Sequence, residues 1–348
     1  ETAINQGARV MVTSHLGRPN EGEYSEENSL RPIAEYLGRL LQYPVRLQKN
    51  WVDEEFSVNH NELVVLENCR FNVGESKNLE VLAKKYASLT DIFIMDAFGA
   101  AHRKQASTYG VAEFSSIACA GILFSNELEA LENVMTSAKN PMIAIVGGSK
   151  VSTKLSLLDS LSDKVDQLIL GGGIANTFLK AQGCEIGQSL YEPNFIPQAK
   201  KIISKLQARG ASLPILKDVV CGKQFDPNEP AVVKQIDQIM PDDMIFDLGP
   251  KSMKVIVAIV KGAKTILWNG PLGVFEYSQF SQGTELLAKS IAKSNGFSLA
   301  GGGDTISAIQ MFGVEKDISY ISTAGGAFLE FVEGKKLPAI EILEARAN

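Results

Sequence analysis

A chain of 348 residues exceeds the usual size of a single hydrophobic core, so two domains are expected. Its 45% hydrophobic and 21% charged residues form an ordinary globular composition, which excludes disorder and fibres. The longest apolar runs, such as Met142 to Val146 and Val255 to Val260, fall far short of the roughly 18 residues of a membrane span, and a net charge of −6 argues against nucleic-acid binding.

Apolar strand-like runs alternate with helical patterns along the chain, the signature of parallel β-α-β units. Strands are predicted at Val10 to Thr13, Leu63 to Leu66, Ile92 to Met95, Met142 to Val146, Gln167 to Leu170, Leu213 to Leu216, Met244 to Phe246 and Thr265 to Trp268. Helices are predicted at Leu30 to Gln42, Leu79 to Ser88, Asn126 to Ser137, Thr153 to Ser160, Ala199 to Ala208, Ser252 to Lys261 and Thr284 to Ser294. The fold class expected is α/β, with two open parallel-sheet, Rossmann-like domains joined by the helix Asn126 to Ser137 as a hinge.

Residue usage differs between the halves. Seven of nine arginines fall in the first 103 residues, whereas 22 of 30 glycines lie beyond residue 146. Arginine offers a rigid fork of donors to carboxylate and phosphate; glycine lets backbone N–H groups approach a phosphate. In open α/β sheets ligands sit at the carboxyl ends of strands. Three predicted strand ends in the first half deliver Arg18, Arg70 and Arg103, and two of them also deliver His15 and His102. One arginine after a strand is usually a surface residue; three sharing one face suit a small polyanion. Arg31, Arg39 and Arg46 flank an amphipathic helix and read as solvated. A metal site on His15 and His102 lacks a carboxylate or thiol neighbour at ligand spacing.

The second half places glycine clusters at strand ends or helix starts: Gly147-Gly148-Ser149-Lys150, Gly171-Gly172-Gly173, Gly301-Gly302-Gly303-Asp304-Thr305 and Ala324-Gly325-Gly326. Any one could be a tight turn, but together they ask for a polyphosphate. Lys150 and Lys154, four apart, are expected on one face of the helix that follows. Asp304 stands where a helix begins and serves equally as an N-cap or a magnesium ligand. Glu276, ending Trp268-Asn269-Gly270-Pro271-Leu272-Gly273-Val274-Phe275-Glu276, suits ribose hydroxyls. No P-loop or dinucleotide fingerprint is present, Asn176 standing where the latter needs its last glycine, and Asp96-Ala-Phe-Gly99 is one residue too long for a protein-kinase D-F-G. The four cysteines lack C-x-x-C spacing and read as reduced cytosolic thiols, hence a cytoplasmic protein.

These motifs, with Ser14-His-Leu-Gly-Arg-Pro19, Leu66-Glu-Asn-Cys-Arg-Phe71, Asp96-Ala-Phe-Gly-Ala-Ala-His-Arg103, Leu170-Gly-Gly-Gly-Ile-Ala-Asn-Thr-Phe178 and Ser322-Thr-Ala-Gly-Gly-Ala327, resemble those of phosphoglycerate kinases from about residue 8 onward. The resemblance implies reversible phosphoryl transfer between 1,3-bisphosphoglycerate and Mg-ADP, giving 3-phosphoglycerate and Mg-ATP. It implies a phosphoglycerate pocket of His15, Arg18, Arg70, His102 and Arg103. Arg18, Lys150, Gly325 and Gly326 would act on the transferring group. Lys150, Lys154, Gly171, Gly172, Asn269, Glu276, Gly302, Gly303, Asp304 and Thr305 would bind the nucleotide, with Asp304 on Mg2+. The expected domains are 1–124, with 335–348 returning to it, for phosphoglycerate, and 125–334 for the nucleotide. A monomer with small-molecule substrates, and no nucleic-acid or membrane partner, is expected.

Ala324 departs from the family's first glycine of a triplet, a mild change if its φ is negative. The family also carries some tens of residues before the position of Glu1, including a strand whose Asp and Asn bind substrate and a further arginine; the sequence is therefore expected to be part of a longer chain. An ATP-dependent kinase of another carboxylate fits the same residues. A binding-only nucleotide module has no use for the arginines, and a dehydrogenase would perturb NADH fluorescence.

Overall fold

The computed structural model describes residues 1–60 and 62–347. The chain forms two compact units, Glu1–Phe124 with Leu337–Asn348, and Ser125–Lys336. Among the described residues no helix is long and apolar enough to cross a membrane.

In the first unit, β1 (Val10–Val12), β2 (Val45–Gln48) and β3 (Leu63–Leu66) form a parallel sheet in the order β1-β3-β2. β3 is central because its four aliphatic residues, Leu-Val-Val-Leu, are buried on both faces. The helix Arg31–Leu41 covers this sheet, packing Leu30 and Ala34 against Val65. A second parallel pair, β4 (Ile92–Met95) and β5 (Ile117–Ala120), alternates: Phe93 and Met95 are buried, Ile92 and Ile94 exposed.

The second unit is built on β6 (Met142–Val146), β7 (Gln167–Leu170), β11 (Thr265–Asn269), β12 (Phe297–Ala300) and β13 (Tyr320–Ile321). They form one parallel sheet in the order β13-β12-β11-β6-β7. β6 and β11 are buried at every residue and pair from Thr265 opposite Met142 to Asn269 opposite Val146. Ile143, Ile145, Ile266 and Trp268 meet Ile256, Val260, Leu287 and Ile291 from the helices Pro250–Gly262 and Gln282–Ala292. Each such side chain contributes about 1.5–3 kcal/mol through burial.

Three expectations need correction. The segment 213–216 is not a strand: Pro214 has no N–H for a ladder, and Leu213 and Leu216 instead line a small cavity beside Leu168 and Phe178. The strand follows later, as β8 (Asp218–Gly222), and with β9 (Val232–Gln235) and β10 (Met244–Leu248) it makes an antiparallel sheet in the order β10-β8-β9. The sheets are therefore not all parallel. The helix predicted at Asn126 to Ser137 is observed at Ile122–Met135, and the unit boundary after Phe124 falls inside it.

Candidate active site

In the first unit the loops after β1, β3 and β4 are tied together. Asn68 is 1% exposed; its Oδ1 accepts the Arg70 amide at 3.0 Å, and its Nδ2 donates to the Leu16 and Asn28 carbonyls at 2.8 Å each. Arg70 Nη1 donates to the Gly17 carbonyl, placing its guanidinium beside the Arg18 loop. Asn68 is itself held by Glu67, a buried carboxylate that accepts its amide along with the Ser29 hydroxyl and the Leu30 amide.

Arg103 lies 3.4 Å from His102 Nε2. Partial burial and then the Arg103 cation hold His15 below its ordinary 6.5, which favours the neutral ring beside the arginine. His15, Arg70 and Arg103, from three strand ends, thus meet on one side of the unit. His102 Nδ1 is buried with no partner among the described residues, an atom whose desolvation a ligand would relieve. Glu75 accepts the Ser107 hydroxyl and Tyr86 Oη, fixing the chain just after Arg103 to the segment after Arg70.

The second unit's main sheet is parallel, so five carboxyl ends share one edge. The chain leaves β6 for β7 on one side and returns at β11 on the other, which puts the topological switch point between β6 and β11. Glycine is required there. A Cβ on Gly147 would lie 1.8 Å from the Pro271 carbonyl oxygen, and one on Gly171 would lie 2.3 Å from it. Gly270, at φ +107°, approaches the Gly147 carbonyl in the same way.

Lys154 sits in this crevice, donating to the carbonyls of Gly147 at 2.6 Å and Asn269 at 3.3 Å. Burial lowers its pKa to about 8, and the Asp304 carboxylate works against that shift. Asn269 is 2% exposed; its Nδ2 donates to the Gly301 carbonyl, and its Oδ1 has no partner among the described residues. Thr305 Oγ1 donates to that same carbonyl and accepts the Gly270 amide, locking the β11 and β12 turns together. Three helices start at this edge, Gly172–Ala181, Gly303–Met311 and Gly326–Val332; the Gly172 and Ile174 amides of the first already donate to the Leu272 and Gly148 carbonyls, so the second and third helices offer the freer N-termini to an anion. Glu276, exposed, closes the loop after β11.

Two details differ from the sequence reading. Lys150 and Lys154 share no helix face, because the helix begins at Leu155 with Lys154 as its N-cap; Lys150 is exposed in the turn before it. Asp304 is the second residue of its helix, whose N-cap is Gly302, and makes no capping hydrogen bond. Ala324 is not among the residues of positive φ, so its side chain costs no backbone strain. The residues that sequence reasoning gave no role are the buried anchors: Glu67, Asn68, Glu75 and, in β10, Asp247. Asn68 stood inside a quoted motif, yet its contacts reach back to residues 16 and 28, which no local pattern reveals.

Arginines and histidines gathered at strand ends in one α/β unit, and glycine turns around a half-buried lysine in another, suit a phosphotransferase of two α/β units. A profile of the phosphoglycerate kinase family matches residues 1–335. Phosphoglycerate kinases of Francisella tularensis subsp. holarctica strains FTNF002-00 / FTA, OSU18 and LVS are each 55% identical over 344 residues, 99% of this chain and 88% of theirs. The solved phosphoglycerate kinase of Coxiella burnetii superposes with a TM-score of 0.95 at 50% identity, covering 100% of this chain and 89% of that one. That of Pyrococcus horikoshii OT3 gives 0.84 at 28% identity, covering 99% and 89%. The chain belongs to the phosphoglycerate kinase family and is a phosphotransferase, a kinase of glycolysis.

Proposed function

We propose that this enzyme moves a phosphoryl group reversibly from the acyl oxygen of 1,3-bisphosphoglycerate to the terminal phosphate oxygen of ADP. The observation that carries the nucleotide half is the crevice between β6 and β11, where glycine turns, three helix N-termini and the Lys154 ammonium converge on one sheet edge. The meeting of His15, Arg70 and Arg103 supports the phosphoglycerate half.

In the reverse direction the attacking carboxylate is already ionised at neutral pH, so no general base is required; catalysis rests on positioning and on cations around the transferring oxygens. Arg18, Arg70 and Arg103, with His15 and His102, bind the phosphoglycerate anions. Lys150 and the amides of Gly325 and Gly326 stabilise the transferring group together with Arg18. Lys154, Asn269, Gly302, Gly303 and Thr305 hold the nucleotide phosphates; Gly171 and Gly172 border the base, and Glu276 takes the ribose hydroxyls.

Asp304 fits Mg2+: its exposed carboxylate is spent on no cap and lies within electrostatic reach of Lys154. Among the described residues no group of three or more acidic, histidine or cysteine side chains could hold a metal alone, which suits an ion shared with substrate phosphates. When bound, Mg2+ neutralises phosphate charge. The domains assigned to these roles are 1–124 with 335–348, and 125–334, and closure about the helix Ile122–Met135 brings their ligands together. The enzyme works as a monomer in the cytoplasm, on small molecules only.

Calorimetric titration tests the pocket assignment. Replacing Arg18, Arg70 or Arg103 by Ala is expected to weaken 3-phosphoglycerate binding roughly tenfold to a hundredfold, through loss of a charge-assisted bond, with ADP affinity unmoved. Unchanged phosphoglycerate affinity in all three variants refutes it.

A further inference from the structure

Lys150 is carried by an exposed turn between β6 and the helix Leu155–Ser162, and that turn has an outside support. Glu192 comes from the segment after the helix Gly172–Ala181, forty residues further along the chain. Its Oε2 accepts the Ser152 amide at 2.8 Å and its Oε1 accepts the Ser152 hydroxyl at 2.7 Å. The Val151 amide also points at this carboxylate, and the Lys150 charge is close enough to act on it.

Glu192 is anchored in turn. Its own amide donates to Thr177 Oγ1 at 3.1 Å, and Asn176 Nδ2 donates to the Leu190 carbonyl at 3.1 Å. Thr177 and Asn176 are buried in the helix that begins at Gly172. The ends of the turn have other distant bonds, the Ile174 amide to the Gly148 carbonyl at 3.1 Å and Lys154 Nζ to the Asn269 carbonyl at 3.3 Å, whereas between them the bonds of residues 150–153 are local: Thr153 Oγ1 to the Lys150 carbonyl at 2.9 Å, and the Lys154 amide to the Val151 carbonyl at 2.9 Å. Local bonds of this kind shape the 150–153 backbone, and its place is set by the buried Val151 side chain and by Glu192. Of the bonds described here, those from Glu192 alone tie the 151–152 backbone to the buried helix after β7.

We propose that Glu192 is a positioning residue for phosphoryl transfer: by clamping Ser152 it holds the turn that presents Lys150 to the transferring group. The proposal rests on the role given to Lys150 above. A flexible lysine brings its charge to the reacting oxygens only when its backbone is fixed, and a misplacement of about 1 Å can cost a hundredfold in rate. A carboxylate is suited to the task because it only accepts, and both donors of Ser152 point at it. Glutamine in its place keeps one oxygen for the Ser152 amide and removes the carboxylate charge, so that the Ser152 hydroxyl must turn from donor to acceptor and the clamp is weaker.

The test is steady-state kinetics on the full chain carrying Glu192→Gln, Glu192→Ala, Lys150→Ala and the Glu192→Gln/Lys150→Ala pair. Glu192→Gln is expected to lower kcat about tenfold, and Glu192→Ala more, with the phosphoglycerate KM unchanged and the urea midpoint within error of the parent. In the Lys150→Ala background, Glu192→Gln is expected to change kcat less than about twofold, because a residue that acts through Lys150 has nothing left to position. A normal kcat in both Glu192 variants while Lys150→Ala is impaired overturns the proposal and leaves the Lys150 role standing. The same tenfold loss in both backgrounds also overturns it, since Glu192 then acts elsewhere. A normal kcat in Lys150→Ala overturns the Lys150 role itself, and the proposal with it.

Discussion

Asp247 in β10 is 1% exposed, and among the described residues no cation is placed against it. Its Oδ2 accepts the Gly283 amide at 2.6 Å, while Oδ1 has no partner among the described residues. Glycine is needed on both sides: a Cβ on Gly273 or Gly283 would lie 2.5 or 2.2 Å from Oδ1. Burial pushes the carboxyl up from 3.8 to about 7, against the pull of the Gly283 and Leu248 amides. The folded state therefore prefers the neutral acid. Its stabilisation is fully present below the unfolded value near 3.8, and it is lost as pH rises through about 7. A displacement of that size corresponds to about 4 kcal/mol in total, of which somewhat more than half falls between pH 5 and pH 8. Asp247→Asn keeps an acceptor for Gly283 and has no charge to bury. In urea titrations, the unfolding free energy of the variant minus that of the parent is expected to rise by roughly 2 to 3 kcal/mol over this interval, with the titrations common to both cancelling. The transition followed should be that of the Ser125–Lys336 unit, so that two-state treatment applies. A difference that stays flat from pH 5 to pH 8 refutes the reasoning, and means that Asp247 is solvated or charged in the folded protein.

Lys154, lowered by burial to about 8, carries its charge at pH 7 and loses it as pH rises through that value. ADP affinity measured by calorimetry is expected to fall between pH 7 and pH 9 in the parent and to be weaker but flat in Lys154→Ala; parallel profiles exclude Lys154 from the phosphates. Gly147→Ala is expected to destabilise the second unit by roughly 3 kcal/mol or more in urea titration, because the Pro271 carbonyl that the new Cβ meets is backbone and cannot swing aside. A stability within about 0.5 kcal/mol of the parent contradicts the close approach of the two loops.

The strands Leu63–Leu66, Ile92–Met95, Met142–Val146 and Gln167–Leu170 were legible to the residue, because a short aliphatic run bounded by polar residues has one good solution. β2, with Arg46 and Gln48 in it, and β9, with Lys234 and Gln235, carry too little apolar pattern to stand out. Their partners, not their composition, make them strands. The helix Gly172–Ala181 contradicts its own propensities, opening on two glycines; it forms because eight of its residues are buried against the rest of the unit. Leu213 to Leu216 erred in the opposite direction, reading as a strand by composition although Pro214 breaks the ladder.

The site divides along the same line. The residues proposed to meet ligands lie at strand ends or in the loops that follow them, and a strand end is a local fact, so His15, Arg70, Arg103, Asn269 and Asp304 could be singled out from sequence. Groups that hold those residues in place bond across large separations: Glu67 to Ser29, Glu75 to Ser107, Glu192 to Ser152 and Asp247 to Gly283. In each pair a carboxylate accepts from a chain segment that no periodicity connects to it. Lys150 and Lys154 show why the second class matters to the first. Their spacing of four suggested one helix face, but the helix starts only at Leu155, so the two ammoniums are placed by different contacts, one by buried carbonyls and the other through the turn that Glu192 clamps. The separate roles proposed for them, nucleotide affinity for Lys154 and turnover for Lys150, are consistent with that difference in support.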